Sequence, residues 1–233
     1  MNVTSASRPV SERVFRALSE AVLSGRYQPG EKLPTQRELA ADLNVTMTAV
    51  REALKRLEQL RLIEVRHGDA MRVTDWRAEG GLDVIAHVLL RGGTLDRGTL
   101  AAIMEARCSM LVEAAALAAA RRSDTQAAAL RDVADRIAAA EGPEEAQALD
   151  FAFFAQIVEA ANNVVWVLVM NSIRPLYFQQ AKLFRAVVAD HTELKPLYRA
   201  AALASERGNA ARAAGCVRRL AEAQEERVGT TQP

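Results

Sequence analysis

A short run of polar and basic residues, Thr46, Met47, Thr48 and Arg51, falls where the pattern of the surrounding chain starts a helix. Threonine hydroxyls and the free amides of a helix start bind phosphate, and an arginine binds phosphate or the outer edge of guanine. Arg37 stands at the start of the preceding short helix, within reach of the same strand of phosphates. Farther on, Arg66 and His67 precede Gly68, whose missing Cβ permits close approach of backbone to a ligand. Together these residues have the chemistry of a surface that grips a duplex by its phosphates and reads base edges. The same charges also suit the solvated faces of a small helical bundle, so the surrounding elements have to decide.

Other reactive side chains are scattered. His87 and His191 read as ordinary surface or cap residues, and Cys108 and Cys216 lie far apart without metal-ligand spacing, which suits small thiols in a reducing compartment. No paired carboxylates, nucleophile elbow or Cys-His arrangement emerges from the spacing, so no enzyme is read here.

The elements that would position the polar run can be followed in order. Ser11 is placed to cap a helix whose Val14, Leu18 and Val22 recur every four residues, and Gly25 with Pro29-Gly30 ends it. Thr35-Gln36-Arg37-Glu38 has the spacing of a capping box, Leu39 and Leu43 give a short second helix its apolar face, and Asn44 makes its end. A third helix opens at Thr46 with Val50, Ala53, Leu54, Leu57 and Leu60 on one stripe and Arg51, Lys55 and Arg56 largely off it. From Leu62 the period becomes two, with Ile63, Val65 and then Met71, Val73 flanking Arg66-His67-Gly68-Asp69, which predicts a hairpin with a glycine-containing tip. Three short helices and a two-stranded wing form a winged helix-turn-helix, whose second helix of the pair presents its first turn to the major groove.

With 233 residues the chain has room for two cores. Half of it is apolar but only 5% aromatic, and 22 of the 61 residues from Ala101 to Ala161 are alanine, which favours close-packed helices over sheet. Residues 1–75 carry 12 Lys/Arg against 10 Asp/Glu, and the remainder 18 against 19. A formal net charge of +1 points to no partner, so only local placement of charge argues for nucleic acid. The expected organisation is a DNA-binding domain over 1–75, a linker over 76–81, a helical domain over 82–228 and a disordered tail over 229–233. Helices are predicted at roughly 82–91, 96–121, 124–141, 144–161, 164–188, 191–206 and 209–228, with Pro175 and Pro196 marking kinks or shorter pieces. The fold class is therefore mostly α, a winged helix-turn-helix followed by an all-helical bundle of six to seven helices. Val164 to Met170 is the longest strongly apolar stretch and is too short to cross a bilayer, and a cytoplasmic protein is expected.

The run from Val10 to Val73 also resembles the winged helix domain of the GntR family of bacterial regulators. The likeness is carried by Gly25-Arg26-Tyr27-Gln28-Pro29-Gly30-Glu31-Lys32-Leu33-Pro34, Arg37-Glu38-Leu39-Ala40, Val45-Thr46, Val50-Arg51-Glu52-Ala53-Leu54 and His67-Gly68. It implies operator contacts from Arg37, Thr46, Met47, Thr48, Arg51, Arg66, His67 and Gly68. The acyl-CoA-sensing branch member it is most similar to reads a guanine with an arginine where this chain has Met47, which cannot make that bidentate contact, so its operator should differ at that base pair.

The helical remainder resembles the FadR-type branch of the family, whose members bind a small effector and act as homodimers on palindromic operators. Most of that branch holds a divalent metal with one Asp and three His. Asp150 matches, but Phe154, Tyr198 and Leu220 stand at the histidine positions, and a lone carboxylate is a poor transition-metal site, so no metal is expected. Acyl-CoA-sensing members lack those ligands too, and the segment from Asn171 to Phe184 is similar to their acyl-channel helix. Trp166, Met170, Ile173, Tyr177 and Phe184 recur at helical spacing and either line an apolar tube ending at Arg107 or form plain core. The effector implied is a fatty acid, a long-chain acyl-CoA or another small carboxylate. Where those members contact CoA, this chain has Ala221, Gln224 and Val228. A ligand-free DNA-binding protein is the remaining alternative.

Overall fold

Apolar residues four apart make a stripe that must be buried, and helix α1 (Val10–Leu23) turns Val14, Leu18 and Val22 inward together with Phe15. The computed structural model describes residues 9–65, 70–188 and 193–230. Helix α1 starts before Ser11, with Pro9 in the capping position and no side chain on the first amides. Ser11 therefore lies inside the first turn and is not the cap. The capping box of α2 (Gln36–Asp42) forms as expected. Thr35 Oγ1 accepts from the Glu38 amide at 3.3 Å, and Glu38 Oε2 accepts from the Thr35 amide at 2.7 Å.

Asn44 takes a left-handed φ of 49°, which ends α2 and delivers the chain to α3 (Met47–Gln59), capped by Thr46. Val50, Ala53, Leu54 and Leu57 of α3 are buried, and α3 packs on α1. The wing pairs β1 (Ile63–Glu64) antiparallel with β2 (Arg72–Val73), Ile63 opposite Val73. Its tip, with Arg66, His67 and Gly68, lies outside the described residues. A third extended strip, unforeseen in the sequence, runs along the other edge of β2. There the Val73 amide donates to the Glu31 carbonyl at 2.9 Å, Gly30 donates to Val73 at 2.8 Å, and Leu33 donates to Met71 at 2.8 Å.

The stretch expected to be a linker is partly helical, with α4 (Trp76–Glu79) capped by Asp75. It is followed by α5 (Ile85–Leu89). Val84 is part of the core formed by α1, α3 and the wing, and Trp76 and Val88 pack against that core. The His87 ring meets Phe15 edge-on at 5.2 Å, and Arg91 Nη1 donates to the Leu23 carbonyl at 3.3 Å. The chain accordingly divides into compact units at 1–97 and 98–233. Residues 82–97, expected to open the second domain, fall within the first of these units, with Val84 in its core and Val88 against it.

The regular structure described in the second unit is all helical: α6 (Arg97–Arg121), α7 (Asp124–Ala139), α8 (Pro143–Ala160), α9 (Val164–Gln179), α10 (Ala181–Phe184), α11 (Lys195–Glu206) and α12 (Ala210–Thr230). Ser123 and Gln126 form a capping box on α7, Pro143 starts α8 after Gly142, and Asn163 caps α9. α7 packs on both α8 and α11, and α11 on α12. Buried alanines such as Ala114, Ala115, Ala118 and Ala119 on α6 keep its inward face flat. The helix predicted over 164–188 breaks at Gln180 (φ −101°, ψ 36°), whereas Pro175 stays within α9. Pro196 sits in the first turn of α11, where a missing amide costs nothing. The last helix runs to Thr230, so the first two residues of the expected tail are helical, and 231–233 lie outside the described residues. Among the described residues no helix is long and apolar enough to cross a membrane.

Burial against Phe15 pushes the His87 pKa down, helped by the nearby charges of Arg56 and Arg16 and opposed by Glu12 and Asp83. A depressed folded-state value means stability that is present above the ordinary histidine value of about 6.5 and lost as the pH falls below it. Thermal unfolding should therefore show a midpoint that falls between about pH 7 and about pH 5, and His87→Phe, which keeps the ring contact, should flatten that fall. An unchanged pH profile in the variant would remove His87 as its source.

Candidate functional site

The recognition turn is built as its residue types demand. Thr46 caps α3 by accepting from the Ala49 amide at 3.3 Å, which leaves its hydroxyl proton free to donate. Thr46, Met47, Thr48 and Arg51 are all exposed, as is Arg37 on α2. Arg51 is tethered, because its Nε donates to Gln36 Oε1 at 3.1 Å across the turn between α2 and α3. That bond leaves the two terminal nitrogens as a fork for phosphate or guanine. Arg56, at the far end of α3, is not part of this surface. Its Nη1 pairs with Glu12 at 2.6 Å, and its guanidinium lies 3.8 Å from the Phe15 ring centroid. Arg72 is likewise committed, donating to the Gly30 carbonyl at 3.0 Å.

The second site lies within the helical unit and centres on Asp150, which is 1% exposed. Its Oδ1 accepts from Tyr198 Oη at 2.6 Å and from Gln224 Nε2 at 2.7 Å, and its Oδ2 accepts from Tyr177 Oη at 2.9 Å. Gln224 also donates to Tyr198 Oη at 2.8 Å and accepts from Arg107 Nη2 at 2.7 Å. Arg107 Nη2 stands 4.0 Å from Asp150 Oδ2, and its guanidinium lies 4.6 Å from the Phe154 ring centroid. Burial, and then the Asp150 charge, push both tyrosine hydroxyls well above their usual pKa, so both remain donors at any physiological pH. Arg107 Nη1 is buried and has no hydrogen-bond partner among the described residues.

Of the residues expected to hold an effector, Arg107 and Tyr177 meet at Asp150, and Tyr177 stacks on Phe184 at 5.3 Å. Phe151, which sequence reasoning did not single out, packs on Tyr177 at the same separation. Met170 instead lines a cleft between α8 and α9, and Trp166 is half-buried elsewhere on α9. Gln224, noted in the sequence only at a CoA-contact position, is the residue that joins Asp150, Tyr198 and Arg107. The available signal was Asp150 itself, since a carboxylate inside the apolar run Phe151 to Phe154 must find donors.

A divalent metal does not fit these residues. Both Asp150 oxygens already accept protein donors, Phe154, Tyr198 and Leu220 provide no imidazole, and a guanidinium occupies the space where a second cation would stand. Among the described residues no group of three His, Cys, Asp or Glu side chains is placed to hold one.

Comparison with known proteins agrees with both halves of this architecture. Residues 10–73 match the profile of bacterial regulatory proteins of the gntR family, and residues 102–223 match the FCD domain. The HTH-type transcriptional regulator Mce2R of Mycobacterium tuberculosis is 39% identical over 73% of this chain and 71% of its own length. The Uxu operon transcriptional regulator of Escherichia coli is 34% identical over 71% of this chain and 63% of its own. A fatty acid metabolism regulator protein of Edwardsiella ictaluri is 27% identical over 72% and 69%. Among solved structures, the Lar regulator of Listeria monocytogenes shares the fold with a TM-score of 0.59 at 14% identity, covering 98% of this chain and all of its own.

The network predicts a steep order of losses. Asp150→Ala leaves the Arg107 cation buried without its counter-charge and should cost about 3–5 kcal/mol in denaturant unfolding. Tyr198→Phe removes one bond to a charged acceptor and should cost about 1.5–3 kcal/mol. If the first loss is no larger than the second, the carboxylate is not the centre of the network.

Proposed function

The chain belongs to the gntR family of bacterial regulatory proteins, and from that premise we propose that it docks on a palindromic operator as a homodimer and answers to a carboxylate effector with an apolar body. At the level of the family, it is a transcriptional regulator with an effector-binding FCD domain. The α3 turn bearing Thr46, Met47, Thr48 and Arg51 enters the major groove, Arg37 holds the flanking backbone, and the wing tip of Arg66, His67 and Gly68 reaches an adjacent groove. Met47 makes apolar contact with a base edge in place of a guanine fork, so the operator carries its own base pair there.

The observation that carries the effector reading is the half-used guanidinium of Arg107. One terminal nitrogen is fixed by Gln224, and the other is buried with no partner among the described residues. A buried cationic N–H without an acceptor is costly, and a ligand carboxylate that reaches it recovers that cost while the metal of related sites is not needed. Tyr177, Phe184 and Phe151 supply apolar surface beside it. A free fatty acid fits this chemistry better than an acyl-CoA, whose thioester has no carboxylate. Moreover Gln224, one of three positions at which acyl-CoA-sensing members hold CoA, is fully buried and committed to Asp150, Tyr198 and Arg107.

The test is operator binding at two salt concentrations, with and without oleate, oleoyl-CoA and a short dicarboxylate. Arg51→Ala should weaken binding about ten- to a hundredfold, and normal binding by that variant would displace α3 from the groove. Oleate should change operator affinity in the wild type and leave it unchanged in Arg107→Met. A steep salt slope with no response to any carboxylate would describe a ligand-free DNA-binding protein instead.

A further inference from the structure

Helix α3 carries three cations, Arg51, Lys55 and Arg56, and the fold sends them in different directions. Arg51 is steadied by Gln36, and Arg56 is drawn back to Glu12 and the Phe15 ring. Lys55 is exposed and makes no hydrogen bond or ion pair among the described residues.

Its direction follows from the buried stripe of the helix. Val50, Ala53 and Leu57 are 0% exposed, and at about 100° per residue Lys55 stands about 140–160° from each of them. Thr48 stands about 140–180° from the same three residues. The two therefore share the line of α3 that faces most directly away from the core, about 10.5 Å apart along the axis, with Arg51 between them and about 40° to one side.

Two carboxylates limit what Lys55 can take. Glu52 and Glu58 are exposed and stand three residues to either side of it, about 60° off its direction each way. Neither holds Lys55 in an ion pair. An anion that approaches from either flank meets a carboxylate first, whereas one that approaches along the Thr48 line meets the ammonium.

Distance then separates a base edge from a phosphate. The major groove is about 12 Å wide and about 8.5 Å deep. A helix that enters it by the first turn leaves a side chain about 10.5 Å farther along beside the phosphates of the groove wall. A lysine ammonium is a compact point charge that suits a phosphate and lacks the fork that reads guanine. We infer that Lys55 is a further DNA-binding residue, which takes one backbone phosphate on the wall of the groove that Thr48 and Arg51 enter. It adds affinity without sequence preference, and Arg56 takes no part. The inference rests on the docking of α3 in the major groove proposed above and extends that contact two turns past Thr48.

Fluorescence anisotropy of the full chain tests it between 50 and 200 mM KCl. The probes are the duplex that the wild type selects from a random pool and a shuffled duplex of the same length and composition. Lys55→Met should lower the slope of log affinity against log salt by about 0.9 for each protomer bound. It should weaken binding to both duplexes by a similar factor, about three- to tenfold, so that their ratio is unchanged. Lys55→Arg should keep the wild-type slope, and circular dichroism of each variant separates lost contacts from lost folding. An unchanged slope in Lys55→Met would overturn the inference and leave Lys55 as a counter-charge to Glu52 and Glu58. A collapse of the ratio between the two duplexes would overturn it as well, since Lys55 would then read a base. Arg51→Ala distinguishes failure of the premise: if that variant binds normally, α3 is not in the groove, whereas its loss beside an unaffected Lys55→Met sinks only the role of Lys55.

Discussion

A carboxylate in the middle of an alanine-rich bundle needs donors from every side, because an isolated buried charge costs several kcal/mol. Asp150 imposes that demand on the whole second unit. Its helix, α8, follows it with Phe151, Phe153 and Phe154 and can supply no donor from those positions. The donors come instead from Tyr177 on α9, Tyr198 on α11 and Gln224 on α12, with the Arg107 cation on α6 completing the charge balance. Five helices are thereby brought to one point in one register. Alanine packing alone is permissive about how helices slide past one another, whereas bonds of 2.6 to 2.9 Å are not. The polar knot supplies specificity that an apolar core of small side chains lacks.

The same knot governs what the unit can bind. Where most of the FadR-type branch is expected to hold a metal, this unit gathers tyrosine hydroxyls, an amide and a guanidinium around Asp150. The positive charge is thus a permanent part of the protein, and on the proposed reading a ligand carboxylate would meet Arg107 directly. Because Gln224 is bonded to Asp150, Tyr198 and Arg107 at once, a carboxylate arriving at Arg107 acts on a lattice that already spans α6, α8, α11 and α12. That is a physical basis for converting occupancy into a shift of helices.

The first unit is organised by a different constraint, since among its described residues there is no comparable buried charge and it depends on closing a small apolar core. α1 and α3 supply most of it, the wing seals one side, and Val84, Val88 and Trp76 seal another. Its charged residues are sorted accordingly. Arg56 and Arg72 are held by Glu12 and by the Gly30 carbonyl, whereas Arg37 and Arg51 remain presented outward. Gln36 steadies Arg51 without neutralising it, so the recognition turn keeps both its charge and its direction.

Local order in this protein was legible from the chain alone. The four-residue stripe of α1, the Thr35–Glu38 box, the Thr46 cap, the alternation around the wing and the breaks at Ser123, Gly142 and Asn163 all depend on neighbours within a turn or two, and each appears where its pattern falls. The substitutions at positions 154, 198 and 220 also stated in advance that imidazole ligands were missing. What took their place was not legible, because Gln224 and Arg107 are 117 residues apart and nothing in the periodicity of α6 or α12 records that they touch. The third strip of the wing and the attachment of residues 82–97 to the first core were hidden for the same reason. Backbone pairing and core closure between distant segments leave no period in a sequence. Composition and spacing determine which faces are apolar and which ends are capped, and only the tertiary fold decides which distant donor a buried charge will find.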